Sequence, residues 1–264
     1  MDDNQFRNFL LQRGRELYRN MPWRQDTRPY YVLVSELMLQ QTQVPRVIPK
    51  FQAFIERFPD ERSLATASLA DVLLQWQGLG YNRRAKFLHE AARIITAEYA
   101  GVIPSSTEEL MKLPGVGQNT AGAIRVYAFN QPSLFIETNI RTVYIHHFFA
   151  DQTVVTDSEI RAKLETTIDT AEPRKFYQAL MDYGTHLKST GVKLNARSRH
   201  FVKQKPLRGS VRELRGMIIK TLSNGDISTL RQFASDPRFE QAIASLLSEG
   251  LIELTRDNAY RLTR

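Results

Sequence analysis

The sequence predicts an all-α body followed by a small α+β module. Apolar residues recur at helical spacing through most of the first 185 residues, where the alternation typical of strands is almost absent. Near the C-terminus, residues 251–262 alternate around a turn containing Asp257 and Asn258, which predicts a β-hairpin. A chain of 264 residues can bury a sizeable core and form more than one domain.

Turns rich in proline and glycine separate the predicted helices. The helix over residues 31–41 has a single acid, Glu36, on a surface that is otherwise apolar or amide-bearing. Ser63 or Thr66 is expected to cap short helices that extend through Leu74. The other helices expected in the body cover residues 4–20, 44–58, 83–99, 158–170 and 175–185, with Pro173 ending the next to last of these.

Residues 113–141 combine a glycine turn with a carboxylate. Gly115 and Gly117 interrupt a helical pattern that resumes at Thr120, which predicts helix, tight turn, helix. Backbone N–H groups at such a helix start can bind a phosphate. Glu137 follows soon after, so the segment can hold a nucleotide beside an acid.

The charge distribution indicates a polyanionic partner. The formal net charge is +8, and residues 186–208 contain no acid but seven basic residues, Lys188, Lys193, Arg197, Arg199, Lys203, Lys205 and Arg208. The absence of cysteine excludes disulfides, thiolate catalysis and cysteine-ligated zinc or iron–sulfur sites. Because no apolar run is long enough to span a membrane, we expect an intracellular, soluble protein that contacts no membrane.

The C-terminal residues 209–264 form a separate predicted module. Helical patterns over residues 211–222, 228–234 and 238–249 precede the hairpin, an order typical of winged-helix modules. The charge of this module is nearly balanced, so DNA binding, a protein contact and a purely structural role all stay open.

Several motifs resemble, in order and spacing, the helix-hairpin-helix DNA glycosylases, and most closely the MutY family of adenine glycosylases. The resemblance covers residues 6–185, and its two longest blocks are the most specific. The matching segments are Trp23-Arg24, SELMLQQTQV at 35–44, GLGY at 78–81, LPGVG at 113–117 with TAGAI at 120–124, and MDYG at 181–184. The resemblance implies a two-lobed helix-hairpin-helix fold, with a six-helix barrel lobe over 22–135, a second lobe from 1–21 and 136–208, and the C-terminal module.

The resemblance also implies roles for individual residues. Glu36 matches the acid that protonates the departing base, Glu137 stands where the family has its catalytic aspartate, and Asn139 supports that carboxylate. Two carboxylates can divide the work of breaking a glycosidic bond. Base-pocket or intercalating positions are Trp23, Arg24, Gln41, Tyr81 and Asn119. Expected phosphate contacts are Gly115, Gly117, Thr120, Lys188, Lys193, Arg197, Arg199 and Lys203.

Four features of the sequence depart from the family pattern. Glu137 is one methylene longer than the usual aspartate, and Asn119 replaces the lysine with which endonuclease III relatives form a Schiff base. The cysteines that ligate the family's iron–sulfur cluster are missing, so no such cofactor is expected. The C-terminal residues are too few for the Nudix-like domain that recognises 8-oxoguanine. A monovalent cation at the hairpin is neither required nor excluded, and no metal site is expected at His146 and His147.

The sequence therefore predicts a monofunctional DNA glycosylase of base excision repair. Its partner is double-stranded DNA with a mispaired or damaged base, and adenine opposite guanine or 8-oxoguanine is the first expectation. We expect a monomer located in the cytoplasm at the nucleoid. Two alternatives stay open: a mismatch thymine or uracil glycosylase on the same scaffold, and a DNA-lesion-binding protein with weak catalysis.

Overall fold

The computed structural model describes residues 1–199, 206–224 and 228–263. The helices are α1 (Asp3–Glu16), α2 (Pro22–Gln25), α3 (Pro29–Leu39), α4 (Val44–Arg57), α5 (Glu61–Thr66), α6 (Leu69–Trp76), α7 (Arg83–Glu98), α8 (Thr107–Leu110), α9 (Gln118–Phe129), α10 (Thr138–Phe148), α11 (Asp157–Thr167), α12 (Pro173–Ser189), α13 (Val211–Ser223) and α14 (Phe239–Ser248). Strands β1 (Ile252–Leu254) and β2 (Tyr260–Leu262) pair antiparallel, with Glu253 opposite Arg261. Short 3₁₀ helices cover Asn195–Arg197 and Ser228–Phe233.

The predicted fold class is confirmed. The body is helical, and the only β-sheet in the described ranges is the predicted C-terminal hairpin. Asn258 in its turn adopts φ 58°, a left-handed conformation that asparagine tolerates well. None of the described helices combines the length and apolar character needed to cross a lipid bilayer.

Several predicted helix boundaries were wrong because the true caps lie elsewhere. Asp60, rather than Ser63 or Thr66, caps α5: its carboxylate accepts from Ser63 N at 2.8 Å. Ser68 caps α6. Pro173 begins α12 instead of ending α11, because proline at a first helical position loses no intrahelical hydrogen bond.

The described chain groups into two compact units. The first unit comprises Met1–Val32, Ser105–Met111 and Val116–Lys203, and the second comprises Leu33–Pro104, Lys112–Gly115 and Gln204–Arg264. The predicted three-domain boundaries stay a prediction. The C-terminal module, predicted as separate, groups with residues of the barrel lobe in the second unit.

The core of the first unit lies where α1, α10 and α12 pack together. Phe6, Tyr144 and Tyr177 are fully buried there, and the Tyr177 ring stacks on Phe135 with centroids 4.2 Å apart. In the second unit, Trp76 on α6 is fully buried, and α6 packs against both α4 and α7. Burial of these large side chains provides the main stabilisation of each unit.

Candidate active site

Glu137 is the N-cap residue of α10, and the segment before it is held on both sides. Tyr177 Oη donates to Ser133 O at 2.8 Å and accepts from Phe135 N at 3.3 Å. Asn119 Nδ2 donates to Ile136 O at 3.2 Å. The Asn119 side chain, which stands where endonuclease III relatives have their lysine, therefore connects the start of α9 to the residue before Glu137.

The Glu137 side chain is partly buried and makes no capping bond to α10. Desolvation raises the pKa of its carboxyl, while the positive charges of Arg141 and Lys188 lower it by less. Arg141 is itself fixed by Asp157, whose two carboxylate oxygens accept from its guanidinium at 2.8 and 2.7 Å. The pair raises the pKa of Arg141 and holds a permanent positive charge near Glu137.

Asn139 lies in the first turn of α10 and packs against α12. Its Nδ2 donates to Met181 Sδ at 3.6 Å, whereas its buried Oδ1 has no hydrogen-bond partner among the described residues. A β-carbon on Gly184 would lie 2.6 Å from Asn139 O and 2.8 Å from Asn139 Cβ. Glycine at position 184 therefore allows α12 to approach Asn139 this closely.

Trp23 and Arg24 lie in the first unit, where Trp23 is buried. The Arg24 guanidinium donates to both carboxylate oxygens of Asp182, at 2.7 and 3.0 Å, and Arg19 Nε adds a bond of 2.6 Å. Asp182 is 2% exposed, so this cluster is a buried ion-pair network. The MDYG motif thus uses Asp182 to fix Arg24 and Gly184 to seat Asn139, two roles that the sequence did not reveal.

Glu36 lies on α3 in the second unit and is partly buried between the buried residues Ser35 and Leu37. Beyond the end of α3, Gln41 is exposed and adopts φ 58°. Tyr81, in the turn between α6 and α7, adopts φ 49°. Both predicted intercalating residues therefore stand on left-handed backbone, which is uncommon for residues other than glycine and occurs often at functional sites.

Arg84 holds these two turns together. Its Nη1 donates to Leu37 O, Met38 O and Gln40 O at 2.6 to 2.8 Å, and its Nη2 donates to Gly80 O at 3.0 Å. Burial lowers the pKa of Arg84 to about 10, which leaves it charged at neutral pH. The sequence did not single out Arg84. The feature that could have indicated it is an arginine three positions after the last residue of the GLGY turn.

The hairpin glycines differ in their structural roles. Gly115 adopts φ 79°, and a β-carbon there would lie 3.0 Å from Phe87 Cβ, so both conformation and space favour glycine. Gly117 is the N-cap of α9 with open space around it. Thr120 lies in the first turn of α9 and is partly buried, while Asn119 is exposed. This start of α9 has the local geometry expected of a phosphate-binding helix N-terminus.

The basic segment is attached to the first unit as far as residue 199. Val155 N donates to Arg197 O at 2.8 Å, Arg199 N donates to Val155 O at 3.0 Å, and Arg197 Nη1 donates to Ala150 O at 2.7 Å. Lys188, Lys193 and Arg199 are exposed. Lys203 and Lys205 lie outside the described residues.

The basic segment contains no cysteine, and His147 has a protein partner in this structure. Thr142 Oγ1 donates to Asn195 Oδ1 at 3.0 Å and helps to fix this segment. His147 Nε2 hydrogen-bonds with Tyr183 Oη at 3.0 Å, and burial lowers the pKa of His147 to about 4. The described residues contain no group of three or more His, Asp or Glu side chains that could hold a metal ion.

Residues 34–169 match the family described as HhH-GPD superfamily base excision DNA repair protein. This match covers Glu36, the hairpin glycines and Glu137 together. The chain belongs to that superfamily. An adenine DNA glycosylase of Mycolicibacterium smegmatis is 35% identical over 272 residues, which span 92% of this chain and 91% of the relative.

Two other relatives match this chain over only part of their own length. An adenine DNA glycosylase of Buchnera aphidicola is 39% identical over 170 residues, covering 63% of this chain and 48% of the relative. The chain thus spans about half the length of that relative. The human adenine DNA glycosylase is 37% identical over 191 residues, with 68% of this chain and 35% of the relative covered.

Solved structures share the HhH-GPD fold at low identity. A thermostable thymine-DNA glycosylase superposes with a TM-score of 0.63 at 22% identity, covering 74% of this chain and 94% of that one. An endonuclease III, trapped in a covalent complex with DNA, gives a TM-score of 0.59 at 20% identity, covering 70% and 87%. These likenesses support the fold assignment.

Proposed function

We propose that this protein is a monofunctional DNA glycosylase that removes adenine mispaired with guanine or 8-oxoguanine in duplex DNA. The observation that carries the proposal is the similarity to an adenine DNA glycosylase over 92% of the chain and 91% of that relative. The local geometry agrees with it, because an acid stands at the N-cap of α10 with Asn139 beside it on the same helix.

The proposed reaction is hydrolysis of the N-glycosidic bond after the adenosine has been flipped out of the duplex. Glu36 protonates the leaving adenine, and ionised Glu137 stabilises the oxocarbenium-like sugar or activates water. Asn139 supports the Glu137 carboxylate. Asn119 has no amine that could attack the sugar, so water is the nucleophile and the DNA strand stays intact.

In this proposal, the protein binds DNA through backbone N–H groups and through basic side chains. The start of α9 at Gly115, Gly117 and Thr120 binds a phosphate. Basic side chains add electrostatic attraction to the phosphate backbone of the DNA; they are Lys188, Lys193, Arg197, Arg199 and Lys203. Gln41 and Tyr81 fill the space that the extruded nucleotide leaves. Trp23, and Arg24 held by Asp182, support the base pocket.

The test is a single-turnover assay on matched duplexes, with alkali used to cleave abasic sites. Adenine is placed opposite guanine, 8-oxoguanine, cytosine and thymine, and further duplexes contain thymine or uracil opposite guanine. We expect release of adenine opposite guanine or 8-oxoguanine and little release opposite thymine. Release of thymine or uracil alone would assign the protein to mismatch thymine or uracil excision. No release from any duplex would favour the lesion-binding alternative.

Two further measurements test the residue roles. Glu36→Gln is expected to abolish release while DNA affinity stays close to that of the wild type; the control Glu56→Gln changes an exposed acid on α4 and should have no effect. Undiminished release by Glu36→Gln would exclude Glu36 as the acid. Borohydride trapping should give no covalent enzyme–DNA complex, and its formation would contradict a monofunctional mechanism.

A further inference from the structure

The C-terminal module, residues 209–264, is docked onto helices of its own unit. Helix α13 packs against α6. Lys86 Nζ, on α7, donates to Glu249 O at 2.8 Å, just after the end of α14. A β-carbon on Gly250 would lie 2.6 Å from Lys86 Nζ, so the glycine leaves space for that ammonium. The module therefore makes specific polar contacts beside the turn that contains Tyr81.

One of these contacts reaches Tyr81 itself. Arg212, in the first turn of α13, donates from Nη1 to Tyr81 Oη at 2.5 Å. The guanidinium carbon of Arg212 lies 5.5 Å from the centroid of the Tyr81 ring, and that of Arg84 also lies 5.5 Å from it. The ring is thus in cation–π contact with one arginine from the body and one from the module.

The Tyr81 backbone and side chain are fixed by different parts of the chain. Arg84 Nη2 donates to Gly80 O at 3.0 Å, which fixes the turn in which Tyr81 adopts φ 49°. Arg212 fixes the phenol end of the side chain. An aromatic ring held at both ends can enter a base stack without first losing rotamer freedom, because its conformational entropy is already restricted.

We infer that Arg212 of the C-terminal module is a positioning residue for Tyr81, so that this module helps to set how the Tyr81 side chain enters the base stack of DNA. The inference rests on the proposed function, since it takes Tyr81 as a residue that enters the base stack. The balanced charge of the module fits a local role better than general phosphate attraction.

The test compares Arg212→Ala, Arg212→Lys, Tyr81→Phe and the double variant Arg212→Ala/Tyr81→Phe in the full chain. Arg256→Ala, an exposed arginine of the module, is the matched control. Excision is measured under single turnover with adenine opposite guanine and opposite cytosine. Insertion is measured separately by fluorescence of 2-aminopurine opposite a 2′-fluoro-adenosine that resists cleavage, so this readout does not depend on catalysis.

Arg212→Ala should reduce excision about tenfold opposite either guanine or cytosine, because one charge-assisted hydrogen bond to Tyr81 is lost. It should also reduce the 2-aminopurine signal. Tyr81→Phe should have a similar effect, the double variant should be no worse than the more impaired single variant, and Arg212→Lys should recover part of the loss. Arg256→Ala should match the wild type, and unchanged melting temperatures would show that the module stays folded.

Two results would overturn the inference. One is an Arg212→Ala variant with wild-type fluorescence and a wild-type excision rate. The other is a loss of excision by Arg212→Ala with wild-type fluorescence, together with a slope of log binding constant against log salt that is reduced by about one, which is the signature of a phosphate contact. Absence of excision by the wild type would count against the proposed function, and the fluorescence series would still test Arg212.

Discussion

A β-carbon placed on Gly184 would lie 2.6 Å from the backbone oxygen of Asn139, so α12 and α10 meet there in direct backbone contact. The Asn139 side chain also contacts α12, through Met181 Sδ at 3.6 Å. The position of Asn139, two residues after Glu137, therefore depends on a glycine 45 positions further along the chain.

Gly184→Ala should lower both stability and base excision. The added methyl group meets backbone rather than a flexible side chain, so we expect a loss of about 1–3 kcal/mol in the free energy of unfolding. The control is Gly216→Ala, on an exposed face of α13 with nothing within 4 Å, which should be neutral or stabilise by about 1 kcal/mol. Urea denaturation and single-turnover rates provide the measurement; equal behaviour of the two variants would refute the contact.

The pH dependence of excision should reveal the environment of Glu137. Desolvation raises the pKa of this carboxyl, so the ionised form that the mechanism uses appears only above the usual pH range of a glutamate. Arg141→Gln removes a charge that lowers this pKa, and the acid limb of the rate profile should move to higher pH.

Asp157→Asn is the control for this shift, because it leaves the Arg141 charge in place. With Asp157→Asn the acid limb should not move to higher pH. An acid limb that is unchanged in Arg141→Gln would show that Glu137 ionisation does not control the rate.

Breaking the buried network around Asp182 should be costly. Asp182→Asn leaves Arg24, whose side chain is 6% exposed, without its charged partner, and we expect a loss of about 3–5 kcal/mol in unfolding free energy. Glu172→Gln removes an exposed pair with Lys175 and should change stability by less than about 1 kcal/mol. Chemical denaturation of both variants is the measurement, and a small effect at Asp182 would argue against a structural role for the network.

Arg84→Lys should weaken the turns that present Gln41 and Tyr81. A lysine ammonium cannot reach the carbonyls of Leu37 and Gln40 together with Gly80, so buried acceptors lose their donors, at a cost of about 3 kcal/mol. Excision should fall more than with Arg83→Lys, a change at an exposed neighbour. Thermal melts and single-turnover rates distinguish the two variants, and equal rates would exclude a positioning role for Arg84.

The sequence was sufficient for features that depend on local chemistry. Helical spacing of apolar residues and the turn at Asp257 and Asn258 predicted the helices and the hairpin, because each follows from the conformational preferences of a few neighbouring residues. Helix ends were less well predicted, since Ser63, Thr66 and Asp60 are all competent caps and only the packed structure selects one.

The sequence by itself thus determined the helical body, the C-terminal hairpin, the absence of cysteine ligands and the matching motif residues, including Glu36 and Glu137. Only the tertiary structure decided which side chains fix those residues. Arg84 is 47 residues from Leu37, Arg24 is 158 from Asp182, and Arg212 is 131 from Tyr81. Contacts over such separations leave no periodic pattern in the chain, because they form only when packing brings distant helices together.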